Sequence, residues 1–415
     1  MEKVIVFGLG GVFRRSVDWL MRHYDIIAIS DNYSLKNPSQ YIFEVIEAKE
    51  IRIKNFDKVI IATRSKVVNE IASSLVELGI DKEKIFFLNS EDFDPFLIDP
   101  LFFGDLSLEE KQKVFKNNVE LIWIEPNSKC NRQCWFCPNK LIDRHTKNIS
   151  MNFGLLEKLL KDLSVIDYDG DVSMSYYNEA LLDETLEKKI YIIKKYLPNC
   201  KLHFNTNGDH ITRDKLLSLE HAGLDRLLIS NYILKSPEQK WEYCTARKAI
   251  EEKAQKLDLD AETITGENST NCALFTRVGE MRIVLDSLNL NVNGLSRGGL
   301  IDSGVPIPAR IRVCADPYHA VPISYSGKVM FCVNCHSEAE KHSEYVIGNI
   351  NEQNIYDIFI GDKMTKLRKS VLCDINSGVC DGCNNVSQSS ILRFPDEEWR
   401  GRPRSRIIVK RVLTN

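Results

Sequence analysis

The sequence predicts an α/β chain built as a small N-terminal parallel sheet, a longer central series of alternating strands and helices, and a small cysteine-rich C-terminal domain. Three observations lead there. Short apolar runs of strand type alternate with amphipathic helical stretches over residues 1–95 and again over 121–295. The polar, unusual residues of the central segment fall just after its strands. Nine of the twelve cysteines lie in two groups, one inside the central segment and one in residues 314–383. The expected boundaries are 1–95, a connector over 96–120, 121–295, 296–395, and a basic tail over 396–415.

Composition sets broad limits. At 415 residues the chain is long enough for several domains, and 43% apolar with 27% charged residues is ordinary for a globular protein. A net charge of −3 offers no electrostatic basis for nucleic acid or an anionic membrane. The tail residues Arg400, Arg402, Arg404, Arg406, Lys410 and Arg411 read as a solvated end. No stretch approaches the ~20 apolar residues of a membrane span, and residues 1–10 lack the form of a signal peptide. The expectation is a cytoplasmic protein, where many cysteines point to metal rather than to disulfides.

In the first segment Val4-Ile5-Val6-Phe7 is a buried strand, followed by Gly8-Leu9-Gly10-Gly11 and a helix carrying Val17, Leu20 and Met21. Ile26–Ile29, Val59–Ala62 and Ile85–Leu88 are further strands, with a helix through Val67–Leu78. Strands alternating with helices imply a parallel, Rossmann-like sheet. Gly8 and Gly10 fit a dinucleotide fingerprint and Asp31 stands where a ribose-binding acid would, but Phe13 occupies the third glycine position. A recognition or docking module is the stronger reading. The segment resembles the Rossmann-like domains attached to enzymes of surface-polysaccharide and nucleotide-sugar pathways. After it, Asp99-Pro100 and a charged helix over Leu108–Lys116 form the connector.

The central segment opens with the strand Leu121–Ile124 and runs into Cys130, Cys134 and Cys137, a C-x3-C-x2-C loop. Three thiolates can hold three irons of a [4Fe–4S] cluster and leave the fourth iron for a small molecule. Zinc would want a fourth Cys or His, and His145 lies further off than the usual ligand spacings. Later strands are Val172–Ser175, Leu202–Phe204 and Arg226–Ile229, with helices over Leu155–Leu163, Leu186–Tyr196 and Arg213–Ala222. The stretch 231–280 is polar and reads as helices over the open side.

This loop, with Phe136 before its last cysteine, resembles the signature of the radical S-adenosylmethionine enzymes. The resemblance implies a partial (β/α)6 barrel, a SAM-binding [4Fe–4S] cluster and S-adenosylmethionine itself. In Tyr176-Tyr177-Asn178-Glu179, Glu179 keeps the acid that in the family grips the amino group of S-adenosylmethionine, while the usual glycines and proline are replaced. A carboxylate suits an ammonium through charge-assisted hydrogen bonds. Asn205 and Asn207, in a turn like the family's Thr-Asn-Gly element, and Ser230 and Asn231 after the next strand are candidates for the cofactor's ribose or carboxylate; all four are also ordinary turn formers. Arg282 is a candidate partner for the methionine carboxylate, or one half of a structural ion pair. Cleavage of S-adenosylmethionine by the reduced cluster would produce a 5′-deoxyadenosyl radical that takes a hydrogen atom from a substrate C–H. An external reductant such as flavodoxin or ferredoxin is implied.

The second cysteine group contains Cys314, Cys332, Cys335, Cys373, Cys380 and Cys383. Gly327–Cys332 fits the G-x4-C element of SPASM and twitch domains, and Ser296-Arg297-Gly298-Gly299 resembles the run found before them. The expected ligands of one auxiliary [4Fe–4S] cluster are Cys314, Cys332, Cys380 and Cys383, with Cys335 and Cys373 left over; a four-cysteine zinc site is the alternative. If the reaction inverts a carbon rather than oxidising it, Cys272, Cys244 or Cys335 are candidate hydrogen donors. The favoured substrate is a sugar, aminocyclitol or nucleotide-linked sugar. A peptide maturase acting on a ribosomal precursor and a non-catalytic iron–sulfur protein are the alternatives.

Overall fold

The computed structural model describes residues 1–9, 11–31, 43–63, 65–90, 106–265, 270–305, 314, 316–373, 378–381, 383 and 407–411. Most of the tail, including Arg400, Arg402, Arg404 and Arg406, lies outside the described residues, as do the connector's residues 96–105 and the side chain of Cys373.

The N-terminal unit contains β1 (Lys3–Phe7), α1 (Gly11–His23), β2 (Asp25–Ser30), β3 (Val45–Ile46), β4 (Lys58–Ile61), α2 (Ser65–Glu77) and β5 (Ile85–Ser90). Its strands are parallel and ordered β5-β4-β1-β2-β3, the doubly wound arrangement expected from the β/α alternation. Alternate residues of β1 feed two cores: Ile5 and Phe7 pack on one face, Val4 and Val6 on the face that carries Phe13, Val17 and Leu20 of α1. Phe13 is fully buried, so the helix rests on a large side chain where a dinucleotide fold would bring it close. Asp31 accepts a hydrogen bond from the Leu9 N–H at 2.6 Å and so closes the glycine turn on itself. One feature departs from the sequence expectation. Residues Ile407–Arg411 form a strand, β16, that adds antiparallel to β5 and completes the sheet at its edge. Lys410 and Arg411 therefore belong to a strand rather than to a solvated tail.

The second sheet contains β6 (Leu121–Ile124), β7 (Asp171–Ser173), β8 (Lys201–Thr206), β9 (Arg226–Ser230), β10 (Thr263–Thr265), β11 (Asn271–Val278), β12 (Met281–Leu288), β13 (Ala320–Ile323), β14 (Lys328–Met330) and β15 (Val346–Asn349). Its order is β10-β11-β12-β9-β8-β7-β6-β13-β14-β15. Strands β6 to β9 and β12 are parallel neighbours and form the barrel wall. Beyond β12 the chain pairs antiparallel through β11 and β10, so the polar stretch 231–280 supplies a helix and two strands. On the other edge β13 pairs parallel with β6 and carries the sheet into the C-terminal domain.

The helices α3 (Leu108–Asn118), α4 (Phe153–Val165), α5 (Leu186–Tyr196), α6 (Arg213–His221) and α7 (Tyr243–Lys256) belong to the connector and barrel, while the short α8 (Leu290–Asn293) and α9 (Asp316–His319) precede α10 (Ile355–Ile360) and α11 (Asp362–Cys373). Helix α4 shows why they form: Leu155, Leu156, Leu159, Leu160 and Leu163 recur at helical spacing and all are buried, each contributing about 1.5–3 kcal/mol. Helix α3 starts at a capping box between Ser107 and Glu110. Its Phe115 packs edge-on against Tyr356 and Phe359 of α10, and Lys111 pairs with Asp357 at 2.6 Å. The connector is thus anchored on the C-terminal domain. No described helix is long and apolar enough to cross a membrane.

Candidate functional site: two cysteine groups at the strand ends

Residues 127–150 leave the end of β6 as a closed loop, pinned where Asn127 bridges Ser150 and where the Cys130 N–H donates to the Arg144 carbonyl at 2.8 Å. A turn from Cys134 to Cys137 (3.0 Å) brings the thiols toward one another. Burial pushes the Cys130 thiol up to about 11, with Glu179 and Cys137 adding to the rise. Burial likewise takes Cys134 to about 11, reinforced by Cys137 and Cys130. Three half-buried sulfurs that repel each other's charge are what a cationic iron cluster relieves. Phe136 packs tilted against Tyr232 at 4.8 Å and edge-on against Trp135 at 5.4 Å, so the loop rests on the segment after β9. Among the described residues no three His, Cys, Asp or Glu side chains converge at the distance of a single ion. A four-iron cluster asks for a different arrangement, with each thiolate directed at its own iron.

Glu179 lies beside this loop, its N–H donating to the Lys129 carbonyl at 2.7 Å. The side chain is 2% exposed and its donors are all neutral: the Thr206 hydroxyl at 2.7 Å, the Asn207 N–H at 2.8 Å and the Leu181 N–H at 3.2 Å. Burial raises its pKa against the pull of these donors. Among the described residues no Lys or Arg pairs with it, and His210 is the one positive influence on it, the smallest of the opposing causes, so a buried carboxylate facing a three-thiol loop is short of positive charge. An ammonium group fits that need. Glu179→Gln is therefore expected to weaken S-adenosylmethionine binding by about 10–100-fold, the worth of a charged hydrogen bond, with cluster content unchanged in anaerobic equilibrium dialysis. As pH falls through the raised pKa the wild-type carboxylate takes up a proton, so its binding should weaken at a higher pH than an exposed glutamate would allow.

The other expected contacts divide. Asn207 donates from Nδ2 to Asn131 of the cysteine loop at 2.8 Å, and a cavity of about 300 Å³ is lined by Asn207, Asn231, Tyr232, Arg132 and Lys235. The Asn205 N–H donates to the Ser175 hydroxyl at 2.6 Å, and Ser230 pairs in register with Asp286 at the strand ends. Arg282 goes elsewhere. It stands at the start of β12 opposite Arg226, at the end of the barrel remote from the cysteine loop.

The second cysteine group is drawn together from distant segments, Cys335 included. Cys332 feels the charge of Cys314 and Cys335, and Cys335 that of Cys380 and Cys383, so five thiols share one neighbourhood. Cys335 is fully buried there, and its carbonyl accepts from the Tyr176 hydroxyl. The other two donor candidates lie on β11 and α7. Cys272 packs with Leu274 in the outer core, whereas Ala273 and Phe275 of the same strand turn to the opposite face with Leu228 and Val284. Cys244 is exposed on α7.

Between the two groups stands Tyr177. Arg297 lies over its ring at 5.9 Å and His336 stacks on it at 4.6 Å. Arg297 has φ of 49° and is followed by Gly298 and Gly299 at 61° and 77°, a left-handed turn that aims a guanidinium inward. A Cβ on Gly298 would meet Val379 at 2.4 Å. His336 Nδ1 accepts from the Glu338 N–H at 3.1 Å, which leaves Nε2 as a donor. Buried polar atoms without a hydrogen-bond partner gather around Tyr177: Arg297 Nε, His336 Nε2, Asn178 Nδ2 and both side-chain polar atoms of Asn334. Such atoms are rare in a native protein unless a ligand completes them.

A further element was not foreseen. Glu125, immediately after β6, and Arg144 are both fully buried and pair at 3.0 Å, and Arg144 also reaches Glu338 at 2.7 Å. The only sequence cue is an acid directly after a buried strand.

Comparison with known proteins agrees with this geometry. Residues 124–235 match the radical SAM superfamily, 314–384 the SPASM iron–sulfur cluster-binding domain, and 1–86 a "C2185-like, N-terminal" domain. The S-adenosyl-L-methionine-dependent 2-deoxy-scyllo-inosamine dehydrogenase of Niallia circulans is 28% identical over 271 residues, covering 64% of this chain and 93% of that protein. A crystal structure of BtrN in complex with AdoMet and 2-DOIA is 25% identical over 65% of this chain and 94% of its own, with a TM-score of 0.48. Streptococcus suis SuiB bound to its precursor peptide is 12% identical over 65% of this chain and 70% of its own, with a TM-score of 0.33. The chain thus carries a radical SAM domain and a C-terminal SPASM iron–sulfur cluster-binding domain behind an N-terminal Rossmann-like parallel sheet.

Proposed function

We propose that this enzyme oxidises a carbinol carbon of an aminocyclitol or related sugar-like ring to a ketone. The observation that carries the reading is the 28% identity extending over 93% of an aminocyclitol dehydrogenase. When bound and reduced, S-adenosylmethionine supplies a carbon radical that removes a hydrogen atom.

The protein's residues hold and orient. Cys130, Cys134 and Cys137 are assigned to the first cluster, and Cys314, Cys332, Cys380 and Cys383 to the second. Glu179 takes the ammonium of S-adenosylmethionine, and Asn205, Asn207, Ser230 and Asn231 line the strand ends beside it. Arg297, Asn334 and His336 offer donors and acceptors suited to the hydroxyl and amino substituents of a small polar ring, and their burial favours a dry site. Oxidation is favoured over inversion because the similar enzyme is a dehydrogenase, while Cys244 is exposed on α7, Cys272 shares the Leu274 side of β11 and Cys335 sits among the auxiliary thiols. The electron that starts the reaction would come from an external reductant such as flavodoxin or ferredoxin, and the substrate radical would give one electron to the second cluster and its hydroxyl proton to solvent as the ketone forms.

The test is anaerobic turnover of the reconstituted protein with reductant and a panel of aminocyclitols and sugars. The expected result is 5′-deoxyadenosine together with a product two mass units lighter than its substrate, on the order of one hydrogen molecule lost. Solvent deuterium incorporated at a single carbon, with no mass loss, would instead establish inversion.

A further inference from the structure

Tyr176 and Tyr177 touch both cysteine groups, and nothing in the reaction as described uses them. Their rings lie 4.6 Å apart. Toward the second group, the Tyr176 hydroxyl donates to the Cys335 carbonyl and reaches the Cys332 carbonyl at 3.4 Å, while the Tyr177 hydroxyl donates to the Val333 carbonyl at 3.3 Å. Toward the first group, the Tyr177 carbonyl accepts from Asn139 Nδ2 at 2.8 Å, in the short helical turn that follows Cys137. The Asn139 side chain also bonds the Cys130 thiol. The Tyr177 N–H donates to Glu125 at 3.2 Å, and Asn178 Oδ1 accepts the Tyr176 N–H at 2.9 Å, so the backbone that carries both rings is held on the barrel side.

The chain of contacts is continuous. It runs from Cys130 through Asn139 to the tyrosine backbone, and from the two hydroxyls to the turn spanning Cys332 to Cys335. We propose that the Tyr176–Tyr177 pair is a strut that fixes the second cysteine site relative to the first and sets the second cluster's electrostatics through two hydroxyl dipoles directed at its turn. The proposal rests on the reading that both sites hold iron–sulfur clusters. Hydrogen bonds and local charge around a cluster govern its potential. A hydroxyl that donates toward the turn puts its positive end on the cluster side and favours the more negative, reduced state. Both tyrosines are thus positioning residues.

The experiment uses the full-length protein reconstituted anaerobically, as wild type, Tyr176→Phe, Tyr177→Phe and the double variant. Iron and sulfide content and the response of the first cluster's electron paramagnetic resonance signal to S-adenosylmethionine establish that both sites are loaded. Redox titration and the magnetic coupling between the two reduced clusters provide the readout. The expected result is a shift of the second cluster to a more negative potential in each single variant, larger in the double variant, together with altered inter-cluster coupling while the first cluster keeps its response. Loss of the second cluster from the double variant alone, with shifted potentials in the singles, also supports the strut. Unchanged potential and coupling in variants that hold both clusters would overturn it. A wild type unable to hold a second cluster would overturn the two-cluster reading, and the strut with it.

Discussion

Cys130→Ala is expected to abolish formation of 5′-deoxyadenosine and to lower the iron content by roughly half, from two four-iron clusters to one. The thiol is one of three in its loop, and with two remaining the cluster loses a corner ligand as well as the fixed open iron. The neighbouring groups cannot substitute. Glu179 is engaged by Thr206, Asn207 and Leu181, and the Asn139 side chain is shared with the Tyr177 carbonyl. The second site should survive, because its thiols come from a separate neighbourhood that begins at Cys314. Iron and sulfide analysis, electron paramagnetic resonance of the reduced protein and product chromatography check each part. Full iron content with undiminished cleavage of S-adenosylmethionine would refute the assignment of this loop.

Arg144→Met is expected to destabilise the protein by about 3–5 kcal/mol, the penalty for leaving a buried carboxylate without its partner. Glu125 is fully buried and accepts from the Tyr177 N–H at 3.2 Å and the Tyr325 N–H at 3.3 Å, neither of which replaces a cation. Burial drives its carboxyl pKa up, and Arg144 is the largest opposing influence. The same guanidinium contacts Glu338 at 2.7 Å and lies 5.3 Å from the Tyr325 ring. It therefore joins the first barrel strand, the cysteine loop and the C-terminal domain. The melting temperature should fall by several degrees, and the C-terminal domain should become more sensitive to limited proteolysis. A double variant with Glu125→Gln should recover part of the loss, since the stranded charge is then gone. Equal melting temperatures for wild type and Arg144→Met would show that the pair contributes nothing to stability.

Much of the fold was readable because its signals are local. The leucines of α4 announce a helix by their spacing, the apolar runs of β1, β2 and β4 to β9 announce strands, and alternation of the two implies a parallel sheet. The three-cysteine loop was readable for the same reason: its ligands lie within one turn of chain. Glu179 was legible through its place directly after a strand, and the structure adds three neutral donors and no Lys or Arg partner among the described residues. The polar stretch 231–280 was harder to read because β10 is a short edge strand with Thr263 exposed, while the buried β11 owes its place to antiparallel pairing with β12 across distant residues. The basic end misled for a related reason, since a short strand such as β16 acquires its meaning only from the unpaired edge of β5.

The sequence by itself determined which chemistry begins the reaction: three thiols, an acid at a strand end and a second set of cysteines are covalent facts of the chain. The tertiary structure alone decided where side chains face and which distant groups meet. Pairing register turns Cys272 to the outer core and places Arg282 at the remote end of the barrel. Packing brings Cys335 among the auxiliary thiols, Arg297 over Tyr177, and Glu125 and Glu338 onto one guanidinium. A strand side chain changes face with a shift of one residue, and contacts between remote segments leave no periodicity in sequence.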